Sequence, residues 1–550
     1  MKLSKNHIQT FIFILVYLFA VYFWTQPLQE RKLPYGEFDA MSHFEVGDYM
    51  ASNDKSILYL PPYIDLRYGG ENRLFPHTLW YPPTFHSAFA VGEVIGGDRI
   101  VSIFLLNTIM STFIIITAYF VMNSLFGFLP AILSSLLIIF SPRDFMPYIW
   151  GQWPERFAYA FVPIILYCFY EYFISFSKKD SKPFYIYLTA LFLGVTLLVH
   201  PLVFFHSALG LAVLYIFLAI KQKKFVFNFK HILVSAIIIL VLFMAFPYQT
   251  LDILPNLGIK TFGIKKEVSD VQLPKAGLSR LFQWSLDPES FAGSVPASYF
   301  SFTEMHGLWT LPFLLLGILF LALRREEKDI FLLAWLVSLY LVLHRDIIGL
   351  APHLHRSLSA TAHIFAPITA IGTIYLGSLV KLPSNYNKYL KYILAAAFVY
   401  FAVSVNMAYA SQLLNKDTYN PNSRNGFFTT LNNGELKAGQ WMMDNIPSNY
   451  NITVLGIPSA ENVLDATSRK IRWLAAVSQH VNRFFYLRSD QQELLKSKEW
   501  YILLDYTMLG PLGDKETFNK MQELEKNSLA NHTLVYNQDG IRVYKLEAKQ

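Results

Sequence analysis

One cysteine, Cys168, stands in the whole chain, inside an apolar run. A single thiol excludes an intrachain disulfide and a cysteine-built metal site, and it leaves the redox compartment unread. Charge is scarce as well. Asp, Glu, Lys and Arg make up 15% of the 550 residues, where soluble domains carry about 25%. With 53% hydrophobic residues and a mean hydropathy of +0.33, the chain lacks the polar surface of a water-soluble fold of this length. Also missing are a phosphate-binding Gly-rich loop, a Gly-x-Ser-x-Gly elbow and a His-Glu-x-x-His pair. There is no repeat of fixed period and no low-complexity segment. The net charge of +7 does not indicate nucleic acid, because the basic residues sit in short clusters between apolar runs.

What the sequence has in abundance is apolar stretches. A helical span needs about 20 mostly apolar residues, and by that measure the chain holds about eleven. They lie near 9–27, 98–122, 124–142, 157–176, 184–200, 202–220, 231–248, 307–323, 329–344, 360–380 and 391–410. His200-Pro201 separates two of them with a proline break. The first is read as a retained anchor rather than a signal peptide, being long and aromatic without a small-x-small cleavage site before Pro27.

Basic residues set the expected orientation. With the N-terminus cytoplasmic, the inner segments hold Lys2, Lys5, Lys178, Lys179, Lys182, Lys221, Lys223, Lys224, Lys230, Arg324, Arg325, Lys328, Lys381, Lys388 and Lys391. The short outer loops hold only Arg143, Arg156, Arg345 and Arg356. The expected fold class is therefore an all-α polytopic membrane bundle with a C-terminal extracytoplasmic α/β domain. Residues 1–410 form the membrane domain, with outer loops at 28–97, 141–157, 249–306 and 344–359, and residues 411–550 form the outer domain. In the first loop, the apolar run Thr84 to Ile95 is too short to cross and is expected at the interface. In the tail, an amphipathic helix fits Glu435–Asn445. Strands fit Ile452–Leu455 and Tyr501–Leu504, and a hairpin turns at Asp539-Gly540.

Almost no Asp, Glu, Lys or Arg lies within the spans, Glu171 near an inner helix end being the main exception, and ionisable residues gather at outer helix ends and in the outer loops. That distribution favours chemistry at the membrane surface over transport through the midplane. Three clusters stand out. In the first, Asp39 and His43 share a helix face at i,i+4, so that a carboxylate general base has an imidazole beside it; an Asp cap with a solvated histidine is the plainer reading. The second comprises Arg143 and Asp144, then Gln152, Glu155 and Arg156, with Trp150 and Trp153 beside them. It suits a sugar and an anion, or equally an aromatic belt with a surface ion pair. The third, His353, His355 and Arg356, suits a phosphate. Its two imidazoles make only a weak metal site, and snorkelling at the interface is the plainer reading. The tripeptides Asn451-Ile452-Thr453 and Asn531-His532-Thr533 are compatible with glycosylation of an outer tail.

In order and sidedness these features resemble the GT-C superfamily of membrane glycosyltransferases. That group includes protein O-mannosyltransferases, the lipid A aminoarabinose transferase and the catalytic subunits of oligosaccharyltransferases. Asp39 matches the acidic residue of the superfamily's first outer loop, and Tyr81-Pro82-Pro83 the segment that closes it. Asp144 or Glu155 takes the place of the second-loop acid, and Arg356 that of the basic residue on the carrier phosphate. The Asp-x-x-x-His arrangement and Gly-Gln-x-Pro-Glu look closest to prokaryotic, archaeal-type members. The chain lacks the Trp-Trp-Asp motif of oligosaccharyltransferase subunits, which speaks against en bloc transfer to asparagine, and the Asp-Glu pair of the O-mannosyltransferase first loop.

The resemblance implies transfer of a sugar from a polyprenyl-phosphate donor to a hydroxyl of a glycan, lipid or protein at the outer face. The implied displacement is inverting, with Asp39 as base and His43, Arg143, Asp144, Gln152, Glu155, Arg156, His353, His355 and Arg356 binding substrate. No cofactor is implied with certainty; the superfamily also admits a divalent metal between Asp39 and a second-loop carboxylate. The competing readings are a lipid or polysaccharide flippase and a non-catalytic scaffold, the latter predicting polar clusters that face water separately.

Overall fold

The computed structural model describes residues 5–31, 35–36, 38–52, 83–149, 151–178, 180–246, 307–343, 362–379, 384–417, 433–445, 451–454, 500–506, 519, 522–523 and 525–546. Each expected span coincides with a helix. In chain order the helices are α1 (Lys5–Trp24), α2 (Gln26–Arg31), α3 (Phe38–Ser52), α4 (Thr84–Gly96), α5 (Arg99–Phe126), α6 (Phe128–Phe140), α7 (Pro142–Ile149), α8 (Trp153–Tyr159) and α9 (Val162–Ser177). There follow α10 (Pro183–Val199), α11 (Pro201–Gln222), α12 (Phe229–Ala245), α13 (Leu311–Arg324), α14 (Glu327–Leu343), α15 (Phe365–Leu379), α16 (Ser384–Phe401) and α17 (Asn433–Asn445). The last span runs on past α16 through two π-helical stretches, Ala402–Met407 and Leu413–Asp417. Among the described residues, five helices are long and apolar enough to cross a membrane alone, with α6 and α7 as a sixth, bent pair. Pro183–Val199, Phe229–Ala245, Leu308–Arg324 and Phe365–Gly377 are shorter apolar helices. The protein is a multi-pass membrane protein.

Local chemistry sets the helix ends. Asp98 caps α5 by accepting from the Val101 amide at 2.6 Å, and Gly127, at φ 87°, separates α5 from α6. Asn228 caps α12. Prolines open α7, α10 and α11, and Pro163 and Pro312 lie in the first turns of α9 and α13, where a missing N–H costs nothing. The proline after His200 breaks the chain as expected.

Packing follows from two kinds of surface. Helix α12 buries no residue fully and exposes Leu240 and Val241, and α1 exposes Phe11, Leu15, Leu18 and Tyr22. Such faces are stable only against lipid, since all their backbone groups are satisfied within the helix. Elsewhere small residues let helices touch. A Cβ at Gly372 would run into the Phe313 carbonyl, and one at Gly317 into the Ile368 carbonyl, so α13 and α15 pack backbone to backbone.

The tail folds as a four-stranded sheet in the order β1-β2-β4-β3, from Asn451–Val454, Trp500–Asp505, Thr533–Gln538 and Ile541–Leu546. Strands β1 and β2 are parallel and the other pairs antiparallel. The hairpin turns where expected, with Asp539 at φ 50° and Gly540 at φ 80°. Helix α17 covers β3 and β4, where Trp441 packs on Tyr536 with ring centroids 5.1 Å apart.

Candidate functional site

The first two loop clusters converge. Asp39 and His43 do lie on one helix, α3, a single turn apart. His43 is buried, and its Nδ1 is 2.9 Å from Nε2 of His86 on α4. The run after Tyr81-Pro82-Pro83 is thus a helix that returns an imidazole to the first loop. Burial, and then neighbouring His43, hold the His86 ring well below the usual imidazole range, so it is neutral near pH 7.

The second loop is two short helices. Helix α7 turns by 47° from α6 at the Ser141-Pro142 break, and α8 follows Gly151, whose φ of 82° makes the turn between them. These helices and the turn between them carry Arg143, Asp144, Gln152, Glu155 and Arg156, every one of them buried. Solvation as a surface ion pair is therefore corrected: Arg156 Nη1 donates to Asp144 Oδ1 at 3.2 Å with both side chains fully shielded. The guanidinium of Arg156 also lies over Trp24, 5.8 Å from its centroid. Burial pushes the Asp144 carboxyl up to about 6, against the pull of Arg156. Asp144 Oδ2, Gln152 Oε1 and Arg156 Nε and Nη2 find no hydrogen-bond partner among the described residues. Acceptors and donors are thus left side by side in a dry site, where each is costly unless something pairs with it.

Aromatic residues join the two loops. The Tyr148 hydroxyl bonds the Tyr35 hydroxyl, Thr108 Oγ1 at 2.8 Å and the Trp24 carbonyl at 3.2 Å. Gly36, at φ 105°, passes so close to α7 that a Cβ there would sit 2.7 Å from the Ile149 carbonyl. The His43 ring lies 6.2 Å from that of Trp153, and Trp153 Nε1 donates to the Tyr148 carbonyl at 2.7 Å. This joining disagrees with clusters that face water separately.

The third cluster, His353, His355 and Arg356, lies outside the described residues, as do Trp150, Tyr81, Pro82 and the whole loop at 249–306. The chain next to it is described: the turn Ala362–Ile364 packs against α7, and His363 is buried beside Trp335. No group of three His, Cys, Asp or Glu able to hold a metal occurs among the described residues. His43 and His86 turn ring nitrogens toward each other, and Asp144 is already paired with Arg156. His86, Tyr35 and Tyr148 were not singled out from the sequence. The proline pair ahead of His86 was the available signal; in a chain with 33 tyrosines the two phenols had none.

The fold has known counterparts. ArnT from Cupriavidus metallidurans, in a crystal structure bound to undecaprenyl phosphate, superposes with a TM-score of 0.59 at 10% identity, over 97% of each chain. The Archaeoglobus fulgidus oligosaccharyltransferase in its apo form gives 0.57 at 12% identity, over 90% of this chain and 70% of that one. Its complex with zinc and sulfate gives 0.55 at 13% identity, over 92% of this chain and 70% of that one. Both neighbours are GT-C proteins, so the chain has the GT-C membrane fold. No curated protein matches it in sequence. A family model matches residues 7–459, and the chain belongs to that family, the family of unknown function DUF6541.

Proposed function

We propose that the protein is a membrane glycosyltransferase that moves a sugar from a polyprenyl-phosphate donor to an acceptor hydroxyl. One observation carries the reading: α3, which bears Asp39 and His43, meets through His43 and Trp153 a buried second-loop site that holds opposed charges and unmatched polar atoms. A sugar hydroxyl both donates and accepts, and so matches Asp144 Oδ2 and Gln152 Oε1 on one side and Arg156 on the other. The fold shared with an undecaprenyl-phosphate-bound protein supports a lipid-linked donor. These atoms are shielded, so donor entry requires the segment at Tyr35 and Gly36, which packs on α7, to move.

In the step itself, Asp39 takes the proton of the acceptor hydroxyl while its oxygen forms a bond to the anomeric carbon. The bond from that carbon to the phosphate oxygen breaks, and polyprenyl phosphate leaves with the electron pair. His43, held by His86, keeps α3 in register. Arg356, with His353 or His355, receives the phosphate charge. The N-terminus and the loops at 178–182, 221–230, 324–328 and 381–391 face the cytoplasm; residues 1–410 act as the catalytic unit, and residues 411–550, outside the membrane, hold the acceptor. Asp39 with Asp144 or Glu155 would hold a divalent cation, and it would supply charge stabilisation to the leaving phosphate; no step is routed through it.

The test is transfer by the full chain in nanodiscs from radiolabelled polyprenyl-phosphate sugars to a membrane extract. Asp39→Asn should lose roughly 10²- to 10⁴-fold in kcat while keeping its thermal midpoint. A folded Asp39→Asn protein with wild-type activity would remove the centre of the proposal. Lipid movement without a covalent product would favour the flippase.

A further inference from the structure

The segment joining α11 to α12 has no part in the chemistry above, and its side chains are sorted in an unusual way. Helix α11 ends at Lys223, in the left-handed conformation at φ 50°. The chain then runs without regular structure to Asn228, which caps α12. Val226 is turned inward and only 7% exposed, whereas Phe225, Phe227 and Phe229 are 86%, 67% and 66% exposed. Three aromatic rings thus project from residues 225–229, the last of them opening α12.

The segment is held firmly. Lys224 Nζ donates to the Ser177 carbonyl at 2.7 Å, and its amide to the Ala219 carbonyl at 3.2 Å. On the helix behind it, Gln222 hydrogen-bonds Glu327, which also approaches Lys178 at 4.0 Å. Glu327 is therefore engaged. Lys221, Lys223 and Lys230 are exposed and form no ion pair among the described residues. Ile220, 71% exposed, adds to the apolar side.

Aromatic rings alternating with a buried anchor, flanked by three unpaired ammonium groups, suit the boundary between acyl chains and headgroups. The rings take the apolar side and the lysines the headgroup charge. A zwitterionic headgroup balances its phosphate with its own cation, so net anionic headgroups match the ammonium groups better. We propose that Lys221–Lys230 is a membrane-surface anchor that selects anionic lipids, with Phe225, Phe227 and Phe229 seated in the headgroup–acyl boundary and Lys221, Lys223 and Lys230 on the headgroup anions. The anchor is independent of glycosyl transfer.

Native mass spectrometry of the full chain, titrated with phosphatidylglycerol or phosphatidylcholine, tests it. Wild type should hold phosphatidylglycerol at least roughly tenfold more tightly. The Lys221→Gln/Lys223→Gln/Lys230→Gln protein should lose that preference, and Phe225→Ser/Phe227→Ser should weaken both lipids alike. A lysine variant that keeps the preference overturns the proposal. Wild type supplies a second readout that does not depend on variants folding. Amide exchange across 221–230 should be slower in phosphatidylglycerol nanodiscs than in phosphatidylcholine ones. Equal exchange, or equal protection by inorganic phosphate alone, would equally overturn it.

Discussion

Asp144 and Arg156 stand twelve positions apart on two short helices and meet at 3.2 Å with neither side chain reaching solvent. A pair so placed has given up the hydration of both charges, and removing one partner strands the other. Arg156→Leu should lower stability by about 3–5 kcal/mol, read as a fall in thermal midpoint in detergent. Adding Asp144→Asn to it should recover part of the loss, because the stranded charge is gone. An Arg156→Leu protein as stable as wild type would mean that water reaches the pair.

Tyr148 is the hub between the loops. Its hydroxyl touches Tyr35, Thr108 and the Trp24 carbonyl, groups from the first loop, α5 and α1. Tyr148→Phe keeps the ring and removes all three contacts, at a cost of about 1–3 kcal/mol. Hydrogen exchange should rise in peptides covering 35–52 more than in α13 or α15. Uniform exchange across the chain would separate the hub from the loop.

A pH effect follows from Glu93 on α4. Burial, and then the neighbouring Asp48, raise its carboxyl from 4.5 to about 8, while Arg99, whose Nε lies 2.5 Å from Asp48 Oδ1, opposes them. The folded protein holds this proton more tightly than the unfolded chain does. The resulting stabilisation is complete below pH 4.5 and is lost as pH rises through about 8. Glu93→Gln keeps a neutral side chain throughout. It should match wild type near pH 4.5 and melt higher near pH 8; parallel melting curves would show that Glu93 titrates normally.

Gly372 and Gly317 let α13 and α15 touch through their backbones. Gly372→Ala should cost about 1–3 kcal/mol by overpacking, although alanine is the better helix former. The same substitution at Gly127, where nothing lies within 4 Å of a Cβ but φ is 87°, acts through backbone strain alone. Thermal midpoints of the two variants compare a packing cost with a conformational one.

The positions of the helices were legible in the residue pattern. Each apolar stretch is a helix because no other backbone arrangement satisfies its own hydrogen bonds in lipid, and the proline at 201 and the Asp539-Gly540 turn act through their own φ preferences. That pattern also placed Asp39 and His43 one helical turn apart, since that spacing is a local property of a helix. Tertiary structure alone decided that Arg143, Asp144, Glu155 and Arg156 are buried, that His86 comes back to His43 from 43 positions away, and that Tyr35 and Tyr148 join the two loops. Those contacts depend on the 47° bend between α6 and α7 and on the return of α4 beneath α3. Both come from packing among residues distant in sequence, which leaves no local pattern to read.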